Sequence, residues 1–450
     1  MKKIITLSLL LALGAGAYAE TIELLSFGDG FPQPTEPPLL GLSISPNGKY
    51  VCGGLDMGTG IFVLNRETGK IEWEMCGDDG GEVRDVDDNG LAIGFMDFTG
   101  ASTSVSATGD HGLTLSCETD ELEILPTPQK YRGVIGEGLT NGGKVMIASL
   151  TTSSFATKAA YRVDGGNWQI LPDVKEEDLG WYKGAFRPEE SAAKFVSEDG
   201  KVIYGCLGGF AVPTVWIMNE QGEYEMDFFP GRILGADDND IQSISAMYGM
   251  QMSNDGKYLL MMVSVPNEAG VNRSAPAVYN TETRELTVYD NTQPIDEGGA
   301  GLYPTAISNN GTIIGCIGQP YYGSAGSFII KGGETVAQTF SEAFPSFYEL
   351  LGPAEELGYT VPTSLSADGR YILGYTYYCE DYMDANADAY YVSFVIDRGE
   401  GAGVDEIASE QAAPAMEAIY TLDGQRVEKL GKGINIIRMS DGTSRKVMVK

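Results

Sequence analysis

Histidine is almost absent from this sequence. His111 is the only histidine in 450 residues, so a zinc site made of several histidines is excluded, and a Ser-His-Asp or Cys-His arrangement would have to use this one residue. It lies in the polar, Gly-flanked stretch SATGDHGLTL, which predicts an exposed connection. No Gly-rich phosphate loop follows a predicted strand and opens a helix. The sequence therefore gives little support for catalysis.

Basic residues are also scarce. The 30 Lys and Arg residues stand against 63 Asp and Glu residues, which gives a formal net charge of −33. Phosphate binding needs clustered Lys and Arg, so nucleic acid and anionic membrane surfaces are poor partners. The balance reverses from Pro414 onward, where seven basic residues face four acidic ones. This shift predicts a separate C-terminal module.

Long apolar runs are confined to the N-terminus. Residues 1–19, MKKIITLSLLLALGAGAYA, combine two lysines, an apolar run and Ala-Tyr-Ala before Glu20, which is the pattern of a secretory signal peptide. No Cys stands at the predicted cleavage point, which disfavours a lipid anchor, and no later run is long enough to span a bilayer. We expect an exported protein, extracellular or on the outer cell surface, with the periplasm as the alternative.

Glycine is abundant, with 59 residues, and much of it lies in a repeated pattern. Residues 41–75, GLSISPNGKYVCGGLDMGTGIFVLNRETGKIEWEM, predict four short strands with a tight Asn-Gly turn after the first. Similar copies follow at intervals of about 42 to 58 residues, a period typical of four-stranded propeller blades. The first-turn glycines of the seven copies are Gly48, Gly90, Gly143, Gly200, Gly256, Gly311 and Gly369.

The seventh copy lacks a fourth strand, because VSFVIDR runs directly into the linker. The isolated strand Thr21–Phe27 is the missing piece, and pairing it with the last blade would close the ring. A short ordered arm elsewhere is the alternative. We therefore predict an all-β fold with a signal peptide over residues 1–19 and a seven-bladed β-propeller over 20–400, closed by the N-terminal strand. A linker over 401–416 and a small C-terminal β module over 417–450 follow.

Several turns resemble those of a known repeat family. SPNGKYV, SNDGKYL and SADGRYI are similar to the WD40-like propeller repeats of TolB-type proteins, while SNNGTIIG and VDDNGLAIG resemble related extracellular repeats. The resemblance covers short motifs across residues 40–400. It implies a propeller fold, and no activity follows from it, because propellers host binding, scaffolding and catalysis alike.

The six cysteines show no C-x-x-C or metal-ligand spacing. Three fall at similar places in the second strand of a repeat, where free core thiols are expected: Cys52, Cys206 and Cys316. Disulfide pairing among the other three stays open, because export permits it: Cys76, Cys117 and Cys379.

The C-terminal residues carry a second resemblance. IYTLDGQRV, GKGINIIR and the final KVMVK predict three short strands joined by Asp-Gly turns. Together they resemble the C-terminal sorting domain of Bacteroidetes type IX secretion cargo. That resemblance implies recognition by the secretion machinery, export across the outer membrane, and cleavage or attachment at the surface. A plain structural cap is the alternative.

Two acidic stretches are candidates for Ca²⁺. The segment from Asp85 to Gly90 matches the start of a calcium loop, but its twelfth position is Met96, so an ordinary blade turn is preferred. In the predicted seventh blade the loop CEDYMDANADAYY places several carboxylate and amide oxygens close together, and a solvated acidic loop is the alternative reading. The proposed metal ligands there are Asp384, Asn386 and Asp388. No other cofactor is indicated.

The longest and most aromatic insertions are predicted to emerge on one face of the ring. That face carries the loops between second and third strands and the connections between blades. Exposed aromatics beside carboxylates suit a protein or a sugar surface, whereas packing under their own loops is the alternative. The predicted ligand-binding residues are Trp181, Tyr182, Phe186, Tyr321, Tyr322 and Tyr382.

Three functions fit these patterns. The first is a non-catalytic propeller that binds a protein or glycan through the loop-rich face, which predicts an aromatic surface without buried, convergent carboxylates. The second is a carboxylate-dependent glycan hydrolase or lyase, which predicts a deep central pocket with two acids of raised pKa. The third is a structural or adhesive surface component. The sequence favours binding over catalysis.

Overall fold

The structure is a computed structural model of the 450-residue chain, which divides into two compact units, Met1–Val404 and Asp405–Lys450. The residues described are 21–25, 39–55, 59–101, 103, 105, 107–174, 190–208, 212–228, 243–245, 250–266, 272–289, 301–318, 326–351, 357–379, 389–399, 416–421, 426–427, 433–439 and 444–449. The predicted signal peptide and most of the predicted linker lie outside them.

The first unit contains seven antiparallel sheets, which form the blades of a β-propeller. Strand β1 (Thr21–Leu25) precedes blade 1. Blade 1 comprises β2 (Leu39–Ile44), β3 (Tyr50–Leu55), β4 (Gly60–Asn65) and β5 (Ile71–Met75). Blade 2 comprises β6 (Gly81–Val86), β7 (Leu91–Asp97), β8 (Asp110–Ser116) and β9 (Leu122–Ile124). Blade 3 comprises β10 (Gly133–Leu139), β11 (Val145–Thr151), β12 (Thr157–Val163) and β13 (Gln169–Ile170).

The remaining blades follow the same plan. Blade 4 comprises β14 (Ser191–Val196), β15 (Val202–Leu207), β16 (Val212–Met218) and β17 (Tyr224–Phe228). In blade 5 two short strands, β18 (Ser243–Ser245) and β19 (Gln251–Met252), both pair with β20 (Tyr258–Pro266), followed by β21 (Asn272–Asn280) and β22 (Leu286–Val288). Blade 6 comprises β23 (Leu302–Ile307), β24 (Ile313–Ile317), β25 (Gly326–Ile330) and β26 (Gln338–Thr339). Blade 7 comprises β27 (Leu357–Leu365), β28 (Tyr371–Cys379), β29 (Ala389–Asp397) and β1.

The N-terminal strand closes the ring, as predicted. Strand β1 pairs antiparallel with β29, with Thr21 opposite Asp397 and Leu25 opposite Ser393. Leu25 is buried in the hydrophobic cluster between blades 7 and 1. Glu23 forms an ion pair of 2.7 Å with Arg66 of blade 1. The strand therefore completes blade 7 and also ties it to its neighbour.

The seven predicted first-turn glycines occupy equivalent turns and have φ values between +65° and +81°. This left-handed backbone conformation favours glycine. The turns also touch the preceding blade. A Cβ on Gly48 would lie 2.1 Å from Cδ2 of Tyr371 in blade 7, and one on Gly90 would lie 2.6 Å from Cε1 of Tyr50 in blade 1. Each of these tyrosines packs beneath the turn of the next blade.

The hydrophobic core lies between the blades rather than at the centre of the ring. In the described part of the propeller, one cluster joins blades 1 and 2, where Cys52 and Val63 meet Val83 and Leu113. Equivalent clusters occupy the other six junctions, including the seam between blades 7 and 1. Each blade thus buries both faces against its neighbours, which is why the copies must form a closed ring.

One local prediction needs correction. His111 lies in β8, because residues 110–112 pair with the end of β7, so the expected exposed connection is wrong. The stretch after β26 forms two short helices, α1 (Phe340–Ala343) and α2 (Pro345–Leu351). Neither is long or apolar enough to cross a membrane, and the same holds for every helix in the described residues.

The cysteines of the propeller are free thiols where the structure describes their side chains. Those predicted to be core residues are buried in β3, β15 and β24, namely Cys52, Cys206 and Cys316. Cys76 and Cys117 are also free, so the disulfides considered for them are not formed. Cys379 is the last residue of β28.

The second unit is a four-stranded antiparallel sheet in the order β31, β30, β32, β33. Its strands are β30 (Met416–Thr421), β31 (Arg426–Val427), β32 (Gly433–Met439) and β33 (Ser444–Val449). Three strands were predicted. The fourth arises because Arg426 and Val427 fold back onto Tyr420 and Ile419 across the first turn.

Candidate functional site

The residues predicted to bind ligand or metal fall in connections that lie outside the described residues. The six aromatic residues are Trp181, Tyr182, Phe186, Tyr321, Tyr322 and Tyr382, and the three proposed Ca²⁺ ligands are Asp384, Asn386 and Asp388. Their roles therefore stay predictions. Within the described residues, no group of three or more His, Cys, Asp or Glu side chains could hold a metal ion.

The other acidic stretch weighed for Ca²⁺ is a blade turn. Strand β6 ends at Val86, and Oδ1 of Asp87 accepts hydrogen bonds of 2.9 Å from the backbone N–H groups of Asn89 and Leu91. Its Oδ2 accepts a further hydrogen bond from the N–H of Gly142 in blade 3. The carboxylate therefore holds the turn and the next blade, in agreement with the preferred reading of the sequence.

The two ends of the ring differ. The turn end carries the short links between the first and second strands of each blade, at residues 45–49, 87–90, 140–144, 197–201, 253–257, 308–312 and 366–370. The loop end is the opposite end, with the loops between second and third strands and the connections between blades. There the links are much longer and uneven in length, including residues 171–190 between β13 and β14 and residues 229–242 between β17 and β18.

Hydrogen bonds between neighbouring turns form a closed ring at the turn end. Backbone or amide N–H groups donate from one blade to a carbonyl, amide or carboxylate oxygen of another, so that every blade junction is bridged. The pairs in order are Asn47 to Asp88 (2.8 Å), Asp88 to Asn141 (2.9 Å), Asn141 to Glu198 (2.7 Å), Glu198 to Asn254 (2.8 Å), Asp255 to Asn309 (3.0 Å), Asn309 to Ala367 (2.8 Å) and Ala367 to Pro46 (2.8 Å). The polar groups of these turns are thus used to hold the propeller together.

The first strands of all seven blades line a central channel. Its described part contains a cavity of about 120 Å³. Pockets that bury small molecules usually measure about 300–1,000 Å³. The cavity in the described part of the channel is therefore smaller than the deep sugar pocket predicted for a glycan hydrolase or lyase.

A buried ionic cluster fills one side of the channel. Glu137 in β10 is only 4% exposed. Its carboxylate pairs with Arg84 of blade 2 and, at 2.8 Å, with Lys194 of blade 4, and it accepts a hydrogen bond of 2.9 Å from Ser149 of its own blade. Burial opposes the charge on Arg84, but Glu137 and Glu82 outweigh it and raise the pKa of the guanidinium. Glu137 therefore links three blades, a role that no sequence motif indicated.

Two half-buried carboxylates, those of Asp85 and Glu198, also lie near the turn end of the channel, away from the loop-rich face for which an aromatic surface without buried, convergent carboxylates was predicted. Burial raises the pKa of Asp85 to about 6, although its carboxylate accepts hydrogen bonds from the N–H groups of Leu139 and Val86. Burial also raises the pKa of Glu198, which accepts a hydrogen bond from the Asn141 amide. Asp85 and Glu198 each bond to a residue of blade 3, so their visible role is to join blades.

A polar groove opens at the turn end between blades 1 and 2, with a volume of about 820 Å³. Its walls carry Lys49 and several acidic residues. Glu118 accepts hydrogen bonds from the Tyr50 hydroxyl (2.6 Å) and the Asn65 amide (2.9 Å), and these contacts lower the pKa of its carboxyl group. The Glu118 carboxylate is thus bonded to two side chains of blade 1.

His111 is not part of a nucleophilic arrangement in the described residues. Its Nε2 atom lies 3.2 Å from the backbone carbonyl oxygen of Thr108, and its ring meets Phe98 edge to face at 5.7 Å. The buried Cys52 thiol has a pKa well above its usual value because of desolvation. Neither group has the features of an activated catalytic residue.

The described part of the loop end presents one conspicuous side chain that sequence reasoning missed. Phe155, in the loop between β11 and β12, is 69% exposed, and its ring lies 4.5 Å from the guanidinium carbon of Arg132. Its signal in the sequence is a lone aromatic in the polar run TTSSFAT. Such a run is also typical of an ordinary hairpin loop.

No protein-family model matches the chain, and no curated protein matches it. Solved structures similar to it include hydrazine synthase of Kuenenia stuttgartiensis, with 12% identity, a TM-score of 0.41, and coverage of 81% of this chain and 98% of that one. TolB of Acinetobacter baumannii has 14% identity and a TM-score of 0.35, with 59% and 58% covered. Oligogalacturonate lyase of Vibrio parahaemolyticus has 11% identity and a TM-score of 0.46, with 85% and 98% covered. The similarity concerns the propeller fold, and none of these proteins' activities follows from it.

Proposed function

We propose that this chain is an exported β-propeller that binds a protein or glycan through its loop end without catalysing a reaction. The observation that supports the choice of end is the contrast between the two ends of the ring. Neighbouring turns at the turn end bond to one another around the whole circle. The long and variable links within the propeller lie at the loop end, where binding residues of rigid scaffolds usually lie.

The small cavity in the described part of the channel supports binding rather than catalysis. Its volume of about 120 Å³ is smaller than that of a usual ligand pocket, and the acids around it bond to neighbouring blades. A carboxylate-dependent glycan hydrolase or lyase is the second candidate, because the pKa of both Asp85 and Glu198 is raised. Release of shorter sugars by the wild type, abolished in Asp85→Asn, would favour that candidate.

We also propose a route to the cell surface. Residues 1–19 would act as the signal peptide, and residues 417–450 would be recognised by a type IX secretion system. The C-terminal unit has seven basic residues from Pro414 onward on an otherwise acidic chain, and it forms a sheet of its own. A chain lacking 417–450 should then accumulate in the periplasm. Secretion of the shortened chain at the normal level would contradict this route.

The binding function is tested with the protein from Glu20 to the C-terminus. It would be screened against an array of glycans and a panel of host and cell-surface proteins, with Ca²⁺ and with a chelator. Replacing four loop-end residues by Ala should abolish binding: Trp181, Tyr182, Tyr321 and Tyr322. The matched turn-end variant Glu118→Gln should bind normally. Loss of binding only in the turn-end variant, or no ligand for the wild type, would contradict the proposal.

A further inference from the structure

The loop between β11 and β12 holds Phe155 in an unusual conformation. Its φ is +65°, a left-handed value that bulky residues rarely adopt. Two backbone hydrogen bonds fix the loop, from Phe155 N–H to the Thr152 carbonyl (3.0 Å) and from Thr152 N–H to the Ala156 carbonyl (2.8 Å). The side chain is 69% exposed, so burial of the ring does not compensate for the backbone strain. Backbone strain that is not offset by packing is found mainly at functional sites.

Arg132 holds the aromatic ring from one side. Its N–H donates a hydrogen bond of 2.7 Å to the carbonyl of Thr151, which anchors its backbone at the end of β11. Its guanidinium carbon lies 4.5 Å from the centre of the Phe155 ring. No carboxylate of the described residues pairs with Arg132, whereas nearby Lys158 is paired with Asp173 at 2.7 Å. An exposed aromatic ring thus stands at the loop end beside a cation that has no carboxylate partner among the described residues.

The basic residues of blade 3 near the loop end are Lys130, Arg132 and Lys158, and Lys158 is paired with Asp173 at 2.7 Å. Lys130 and Arg132 therefore give this edge of blade 3 a local positive charge on a chain whose formal net charge is −33. An anion would be attracted here more strongly than by the acidic surface of most of the chain.

We propose that Phe155 and Arg132 form a recognition point for an anionic sugar unit, in which the ring stacks on the sugar and the guanidinium binds its carboxylate or sulfate. This inference rests on the proposed binding function and names its ligand class. A single ring beside one cation matches the size of one sugar. A stable protein interface would bury about 800 Å² on each partner around several anchors. A guanidinium offers the paired N–H donors that an oxyanion accepts.

The test compares binding of the protein from Glu20 onward to carboxylated, sulfated and neutral oligosaccharides of equal length on an array, followed by titration calorimetry. The wild type should prefer the anionic sugars, and the carboxylated and sulfated sets distinguish the two oxyanions. Phe155→Ala should weaken binding at least tenfold. Arg132→Gln should remove the preference for anionic over neutral sugars, and Arg132→Lys should keep part of it. Ile170→Ala, which changes another exposed apolar residue of blade 3, should bind as the wild type does.

A second readout separates recognition from a structural role. Phe155→Gly relieves the strained φ, so it should raise the melting temperature while binding is lost. A lower melting temperature with intact binding would overturn the proposal. So would equal binding of neutral and anionic sugars, or a preference for acidic peptides. If sugars bind but Phe155→Gly has no effect, only this inference fails. If no glycan or protein binds at all, the proposed function fails with it.

Discussion

Glu137→Gln is predicted to destabilise the propeller through the channel rather than through the blade cores. The Glu137 side chain is 2% exposed, and its carboxylate faces Arg84 and Lys194, whose side chains are 26% and 18% exposed. Removing one partner of a buried ionic group costs about 3–5 kcal/mol, because the remaining charges stay desolvated. Arg84 keeps Glu82 at 3.1 Å, and both cations retain some solvent contact, so the lower end, about 3 kcal/mol, is expected.

The loss of stability in Glu137→Gln can be measured by calorimetry as a lower melting temperature. An unfolding entropy of about 2.1 cal/mol/K per residue gives about 0.8 kcal/mol/K for a propeller over residues 20–400, so about 3 kcal/mol lowers the melting temperature by about 4 °C. The matched control is Asp173→Asn, which breaks the more exposed pair with Lys158 and should cost less than about 1 kcal/mol. A shift for Glu137→Gln no larger than that of the control would refute the proposed link between blades 2, 3 and 4.

Three further predictions concern the turns, the seam and pH. Gly48→Ala should destabilise the protein in urea far more than Gly100→Ala, which should cost about 1 kcal/mol. The two glycines have φ values of +77° and +75°, but only a Cβ on Gly48 would clash with a neighbouring side chain, so equal losses would contradict the packing of neighbouring blades. Glu23→Arg should lower the melting temperature, and adding Arg66→Glu to that variant should partly restore it. Additive losses in the double variant would contradict the ion pair that joins β1 to blade 1. The pKa of Asp85 is about 6 in the folded protein and about 3.9 in the unfolded chain, so the native state keeps this proton up to a higher pH than the unfolded state does. The free energy of unfolding should therefore fall by about 3 kcal/mol as the pH rises from about 4 to about 7. Asp85→Asn should remove that contribution from the dependence of melting temperature on pH, and an unchanged dependence would refute the assignment.

The blade plan was predictable because its signals are local. Each first turn needs a glycine with positive φ, and Gly48, Gly90 and their equivalents recur at blade spacing. The closure of the ring by β1 could be predicted by counting strands, because the seventh copy has only three strands and the strand TIELL had no partner near it in the sequence. These inferences depend on turn chemistry and on the need to pair edges, and both can be read from sequence.

The channel cluster was not predictable, because its members lie 53 and 57 residues apart and meet only when three blades close around the axis. His111 was misplaced for a related reason. The polar residues before Leu113 have little strand propensity of their own, but β7 extends beside them and pairs with Asp110 and His111. The same holds for Phe155, whose strained φ is a property of the folded loop.

The most direct test of the account is hydrogen–deuterium exchange of the protein from Glu20 to the C-terminus, with and without the ligand that the array selects. Binding at the loop end predicts protection in peptides that contain Arg132 and Phe155, and no change in turn-end peptides around Asp88 and Glu118. Protection confined to the turn-end groove would contradict the account.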